Sequence, residues 1–200
     1  MAASSTKVEP RRRVPAAERR DALIEAAVHH FGHGGLHGTK VSAIAAEVGV
    51  AQPYVFSLFP TKRDLFLAAV GRCFEKVATL FEAATADFEG REPLEPDEDI
   101  SMAIGKAYVE ALPANPDLLL LQLQAYAACG DDPEIQAAVR REYAKLVDLV
   151  RRLSSTDGEK LDDCFRAGMW LNVAAALGVE DFSVESGWVD ETLKSAPAEA

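Results

Sequence analysis

A chain of 200 residues has room for one or two domains, and 48% apolar side chains are enough for a packed core. A net charge of −11 argues against a protein that meets nucleic acid with its whole surface. Three scattered cysteines (Cys73, Cys129, Cys164) exclude a disulfide framework and a zinc-type spacing, and no stretch approaches the roughly 20 apolar residues of a membrane span.

The charge is unevenly placed. Residues 1–64 carry nine Lys/Arg against six Asp/Glu, whereas the remainder carries twelve against twenty-six. That asymmetry fits a small module that meets an anion, attached to a larger acidic body. The opening MAASSTKVEPRRR lacks the apolar core of a signal peptide, and residues 1–14 read as a disordered basic arm. Arg11, Arg12 and Arg13 in it suit a minor groove or phosphates. The cysteines read as small core residues in a reducing cytoplasm, where the protein is expected to reside.

Pro15 suits a first helical turn, and Leu23, Ile24, Ala27, Val28 and Phe31 recur at a helical period. Gly32, Gly34 and Gly35 are expected to stop that helix. A second short helix over 41–48 turns Val41, Ile44, Ala45 and Val48 inward, with Thr39 as a plausible cap. Gly49 ends it by accepting a left-handed turn. A third helix runs over 52–59, with Pro53 in the first turn, where its missing N–H is not needed. Pro60 and Thr61 close it and begin a long helix over 62–88. Further helices follow near 99–112, 116–129, 132–154 and 157–178, with a shorter one near 185–194, punctuated by Pro113, Pro116, Gly130, Pro133 and Gly158. Residues 89–99 read as an acidic loop. No strand alternation is visible. The expected class is all-α, with a helix-turn-helix domain over 15–61 and a larger helical domain over 62–200.

Helix, tight turn, helix over 41–59 is the layout of DNA readers whose second helix enters the major groove. Thr39, Lys40, Tyr54, Thr61 and Lys62 flank that helix as candidate phosphate donors. Gln52, Tyr54, Ser57 and Ser42 are candidates for base readout, since glutamine pairs with adenine and serine tolerates several base edges. Pro53 can touch a thymine methyl.

The run from Arg20 to Leu65, with AAVHHF, IAAEVGV, two phenylalanines, a lysine and a leucine in order, resembles the DNA-binding domain of the tetracycline-repressor (TetR) family. The resemblance covers the first third of the chain. It implies a homodimeric transcription regulator that represses from a palindromic double-stranded operator and lets go when a small-molecule effector binds the C-terminal domain. Against the family pattern, Phe56 stands where a phosphate-touching tyrosine is usual, so it is expected to pack. Tyr54 can supply a hydroxyl instead, Pro53 replaces a glycine and Lys40 a threonine. If the resemblance holds, the effector pocket draws on Phe74, Phe81, Met102, Tyr108, Gln122, Tyr126, Met169 and Trp170, which favour a neutral or cationic aromatic-sized ligand. The dimer interface draws on Leu161, Phe165, Gly168, Met169, Asn172 and Ala176, with Trp188 from the helix near 185–194. The long helix is the expected lever between the two functions.

His29, His33 and His37 recur every four residues, with His30 beside them. Two such histidines on a helix can share a metal. The glycines are expected to break the helix there, however, and no carboxylate or cysteine completes a set. No metal, no cofactor and no enzymatic activity are expected, because no nucleophile–base arrangement stands out. Two rival readings remain at this level. One is a DNA-binding regulator without an effector. The other is a helical ligand-binding or catalytic protein indifferent to DNA.

Overall fold

The structure, a computed structural model, describes residues 15–90, 99–111, 114–154 and 158–177. Among them are eight helices and no strand: α1 (Ala16–Gly38), α2 (Val41–Val48), α3 (Gln52–Leu58), α4 (Lys62–Glu89), α5 (Ile100–Ala111), α6 (Pro116–Ala128), α7 (Pro133–Ser154) and α8 (Gly158–Ala176). Arg11–Arg13, the loop over 91–98, the helix near 185–194 and Trp188 lie outside the described residues.

The apolar periods become buried faces. Leu23, Ala27 and Phe31 of α1 are fully enclosed, and so are Ile44 of α2 and Val55 of α3. Phe31 meets Phe66 of α4 edge to face, with ring centroids 5.1 Å apart. α4 begins in a reciprocal capping box. The Thr61 hydroxyl accepts the Asp64 N–H, and the Asp64 carboxylate accepts the Thr61 N–H in return. The helix then buries Leu65, Ala69, Cys73, Val77 and Phe81 along one side. The core is continuous from Leu23 to Leu171, so the boundary expected at 61/62 falls at the cap of α4 within one connected apolar cluster. α7 is strongly amphipathic, burying Ile135, Val139, Leu146 and Val150 beneath a charged outer face.

The glycines break the first helix as expected, at the third of them: helical geometry is lost at Gly35 (φ 63°, ψ −179°), a kink after which a last turn runs to Gly38. Two of them face α6. A Cβ on Gly32 would stand 3.2 Å from the Asp117 carbonyl oxygen and 3.6 Å from the Leu121 nitrogen. One on Gly35 would meet the Gln124 side chain. Gly32 lets α6 close on α1 at backbone distance, and Gly35 makes room for the Gln124 side chain.

Polar contacts fasten the same helices at their rims. Arg72 of α4 pairs with Asp21 (3.1 Å) and Glu25 of α1, and Lys76 joins Glu25. Arg63 reaches Asp132 (3.2 Å) and Glu134 (2.8 Å) at the start of α7. Exposed pairs of this kind are largely screened by water, so they set register more than stability.

Candidate nucleic-acid interface and ligand cavity

α2 and α3 meet at 100°, within the range of helix-turn-helix units. Gly49 makes the turn with φ 71° and ψ 35°, and its N–H and that of Val50 return to Ala46 and Ala45 carbonyls. Glycine adopts this left-handed conformation without the steric cost of a Cβ. The turn leaves Val55 buried and brings Gln52, Pro53, Phe56 and Ser57 to the solvent side of α3. Ser42 and Lys40 are exposed beside them.

Phe56 is 39% exposed rather than packed, because Val55 occupies the inward position of this short helix. It adds an apolar tip to the face. Tyr54 is half-buried beneath the Arg19 guanidinium, 5.7 Å from the ring centroid, and Arg20 lies 4.9 Å over Phe59. Two cations of α1 thus stand next to α3, a feature that spacing along the chain did not reveal.

Three expected phosphate donors are engaged internally. Thr39 is buried, and its hydroxyl donates to the His30 carbonyl at 2.8 Å. It locks the end of α1 to its own middle turn. The Thr61 hydroxyl belongs to the capping box and also reaches Asp64. Lys62 donates to the His37 carbonyl at 3.0 Å, and partial burial lowers its pKa. The Ser57 hydroxyl donates to the Tyr54 carbonyl at 2.6 Å, while the residue stays exposed.

A cavity of about 860 Å³ opens among α4, α5, α6, α7 and α8. Of the residues expected to line it, Phe81, Met102, Tyr108, Gln122, Tyr126 and Met169 do so. Phe74 does not: it is buried in the core, 6.5 Å from the Tyr143 ring. Trp170 is not in the lining either. Tyr143 and Phe165, which the sequence reading did not assign to the pocket, complete an aromatic wall, with their rings 5.4 Å apart. Charged side chains of the lining include Asp99, Glu110, Asp163, Lys106 and Lys160, and Lys160 pairs with Asp99 at 3.1 Å.

One wall carries a buried ring of hydrogen bonds. Tyr108 donates to Asn172 Oδ1 (2.7 Å), Gln122 Nε2 donates to the Tyr108 hydroxyl (2.9 Å), and Asn172 Nδ2 reaches Gln122 Oε1 (3.4 Å). Burial pushes the Tyr108 phenol well above its usual pKa, against the weaker opposing pull of Gln122. It therefore stays a neutral donor. Burial likewise pushes the Cys73 thiol up to about 12, so it serves as an apolar filler. Asn172, expected at a dimer interface, points inward to this ring and is 2% exposed. Leu161 is also enclosed, and Phe165 and Gly168 line the cavity. The solvent side of α8 carries Val173 (37% exposed) and Ala176, with Leu177 (65%) just past its end and Met169 (36%) at the cavity rim.

At the α1–α6 contact, Asp117 completes what the histidines lacked. His29 Nδ1 and His33 Nε2 each face one of its oxygens, at 3.0 and 2.9 Å. Burial pulls this carboxyl's pKa upward, but the two imidazoles outweigh that and hold it below the usual value. Sequence reasoning missed the partner because it lies 84–88 residues away.

Residues 23–69 match the family profile described as bacterial regulatory proteins, tetR family. Over that stretch, about a quarter of its length, the chain is similar to the tetR family. The relatives it matches are named as HTH-type transcriptional regulators. Over 160 residues it is 26% identical to the HTH-type transcriptional repressor KstR of Mycolicibacterium smegmatis, covering 78% of this chain and 74% of that one. Its fold is similar to that of a TetR-family regulator from Mesorhizobium loti (TM-score 0.63, 17% identity, 82% and 86% of the two chains). It is also similar to a transcriptional regulator from Saccharomonospora viridis solved in complex with choline (TM-score 0.58, 20% identity, 89% and 93%). Among the described residues, no single helix is long and apolar enough to cross a membrane. Only the bent α2–α3 pair reaches that composition jointly.

Proposed function

We propose that the chain is a homodimeric repressor whose α3 reads a palindromic operator and whose cavity takes a small organic effector that releases it. The observation that carries this reading is the course of α4. It starts at the helix-turn-helix, where Lys62 grips the end of α1, and its Val77 and Phe81 line the cavity. Its 28 residues span about 42 Å at the usual rise, one rigid rod between the two sites. A molecule that prefers one α4 position shifts the balance between operator-competent and incompetent states by its difference in affinity.

The base-reading set is Gln52, Pro53, Phe56 and Ser57, with Ser42 from α2. Lys40, Arg19 and Arg20 supply phosphate contacts, together with the remaining N–H donors of Lys62. Thr39 and Thr61 act on the protein rather than on DNA, since their hydroxyls are engaged within it. A second copy covers the apolar outer face of α8, which places two α3 helices one DNA turn apart, about 34–36 Å. The aromatic wall of Phe81, Tyr108, Tyr126, Tyr143 and Phe165 favours a neutral or cationic aromatic-sized molecule, as tyrosine faces attract cations. The choline found in the S. viridis relative agrees with that preference.

Selection of bound DNA from a random pool at near-physiological salt tests the reading. A palindrome with half-sites one turn apart is the expected outcome. In that operator Gln52→Ala changes the favoured base at one position per half-site, by about 1–3 kcal/mol. Lys40→Ala weakens all sequences alike and lowers the salt slope by about 1 per subunit. Recovery of no enriched sequence would overturn the proposal.

A further inference from the structure

We propose that His29, His33 and Asp117 form a binding site for one divalent first-row transition ion of the zinc, cobalt or nickel type, clamping α1 to α6. The inference rests on three observations. His29 and His33 stand one turn apart on α1 with ring centroids 4.7 Å apart, and each turns a nitrogen toward Asp117. The three ligand atoms all lie within 4.8 Å of one another. Their nitrogen–oxygen separations are 3.0 and 2.9 Å. Ligands at about 2.0–2.2 Å from a tetrahedral ion stand about 3.3 Å apart, so the two nitrogen–oxygen edges need to open by a few tenths of an ångström while the two imidazole nitrogens stay within the 4.8 Å of the cluster.

The positioning is built into both helices. Gly32, on the same turn of α1, lets the first turn of α6 approach to backbone distance, and a Cβ there would press on the Asp117 carbonyl. Pro116 stiffens that turn. The side chains remain open to solvent, the histidines at 53% and Asp117 at 32%, so an ion has a path in and a fourth position for water. Imidazole and carboxylate suit zinc, cobalt and nickel better than the all-oxygen demands of magnesium or calcium. Without an ion, the imidazole N–H groups donate to the carboxylate. Bound metal takes the place of those protons.

The site differs from the effector cavity, and its existence does not depend on DNA binding. It joins the helix that packs on α2 to the helix that supplies Gln122 of the cavity wall.

The test uses the full chain, stripped with a chelator and titrated with Co²⁺ alone, then with Zn²⁺ against a chromophoric chelator. The expected result is one ion per chain, with the visible ligand-field bands of a low-symmetry tetrahedral cobalt complex. His33→Ala and the near-isosteric Asp117→Asn weaken binding at least about tenfold, a loss that even outer-sphere partners can cause. His37→Ala and Cys164→Ser retain it. Circular dichroism of the metal-free variants verifies that they are folded, and Zn²⁺ raises the melting midpoint of the parent but not of Asp117→Asn. The proposal is overturned if the parent binds no more tightly than His33→Ala, or if binding follows Cys164 instead.

Discussion

Removing a single oxygen by Tyr108→Phe tests the buried ring at the cavity wall. The substitution keeps the aromatic ring and its edge contact with Phe81, whose centroid is 5.8 Å away, so it opens no sizeable cavity. Asn172 Oδ1, on a residue 2% exposed, loses its 2.7 Å donor. Gln122 Nε2 loses its 2.9 Å acceptor but keeps the Leu118 carbonyl at 3.3 Å. One buried acceptor is thus left without a partner, at a cost of about 1–3 kcal/mol. With an m-value of about 2 kcal/mol/M, the urea midpoint should fall by roughly 0.5–1.5 M at unchanged slope. Protein concentration must be held fixed, because the proposed dimer would couple stability to it. A fall below about 0.2 M would mean that water satisfies the ring and that the three side chains do not tie α5, α6 and α8 together as placed here.

Gly49→Ala puts a Cβ into open space, so its cost is the left-handed backbone alone, about 1–2 kcal/mol. The expected drop in melting temperature is about 2–8 °C, and an unchanged midpoint would mean the turn relaxes. Acid should destabilise the fold through Glu25, Asp99 and Asp132. Burial raises each carboxyl, but Lys76 and Arg72 on Glu25, Ser101 and Lys160 on Asp99, and the Ile135 and Glu134 amides with Arg63 on Asp132 bring each below its usual value. A folded pKa below the unfolded one gives stability that is complete above the unfolded value, about 4, and lost as pH falls through the folded one. Melting temperatures measured from pH 6 down should therefore fall below about pH 4, less steeply in Glu25→Gln. A flat profile would contradict the pairing.

The amino-acid sequence by itself determined the helices, the turn and the family resemblance. A 3.6-residue apolar period, a glycine at the single position of α2–α3 that needs positive φ, and prolines kept to helix starts and connections act within four residues of chain, where local rules hold. The tertiary structure alone decided what each side chain meets. Gly32 reads as a stop but is a contact with α6. Thr39 and Thr61 read as donors to DNA but bond within the protein. Phe56 reads as packing but is exposed, and Asn172 reads as interface but closes a buried ring. Asp117 reads as an ordinary first-turn acid until α6 brings it to two histidines 84 and 88 residues earlier. In each case the deciding contact is lateral. How two helices cross depends on ridges, grooves and small residues summed over whole faces, and no window of sequence contains both faces at once.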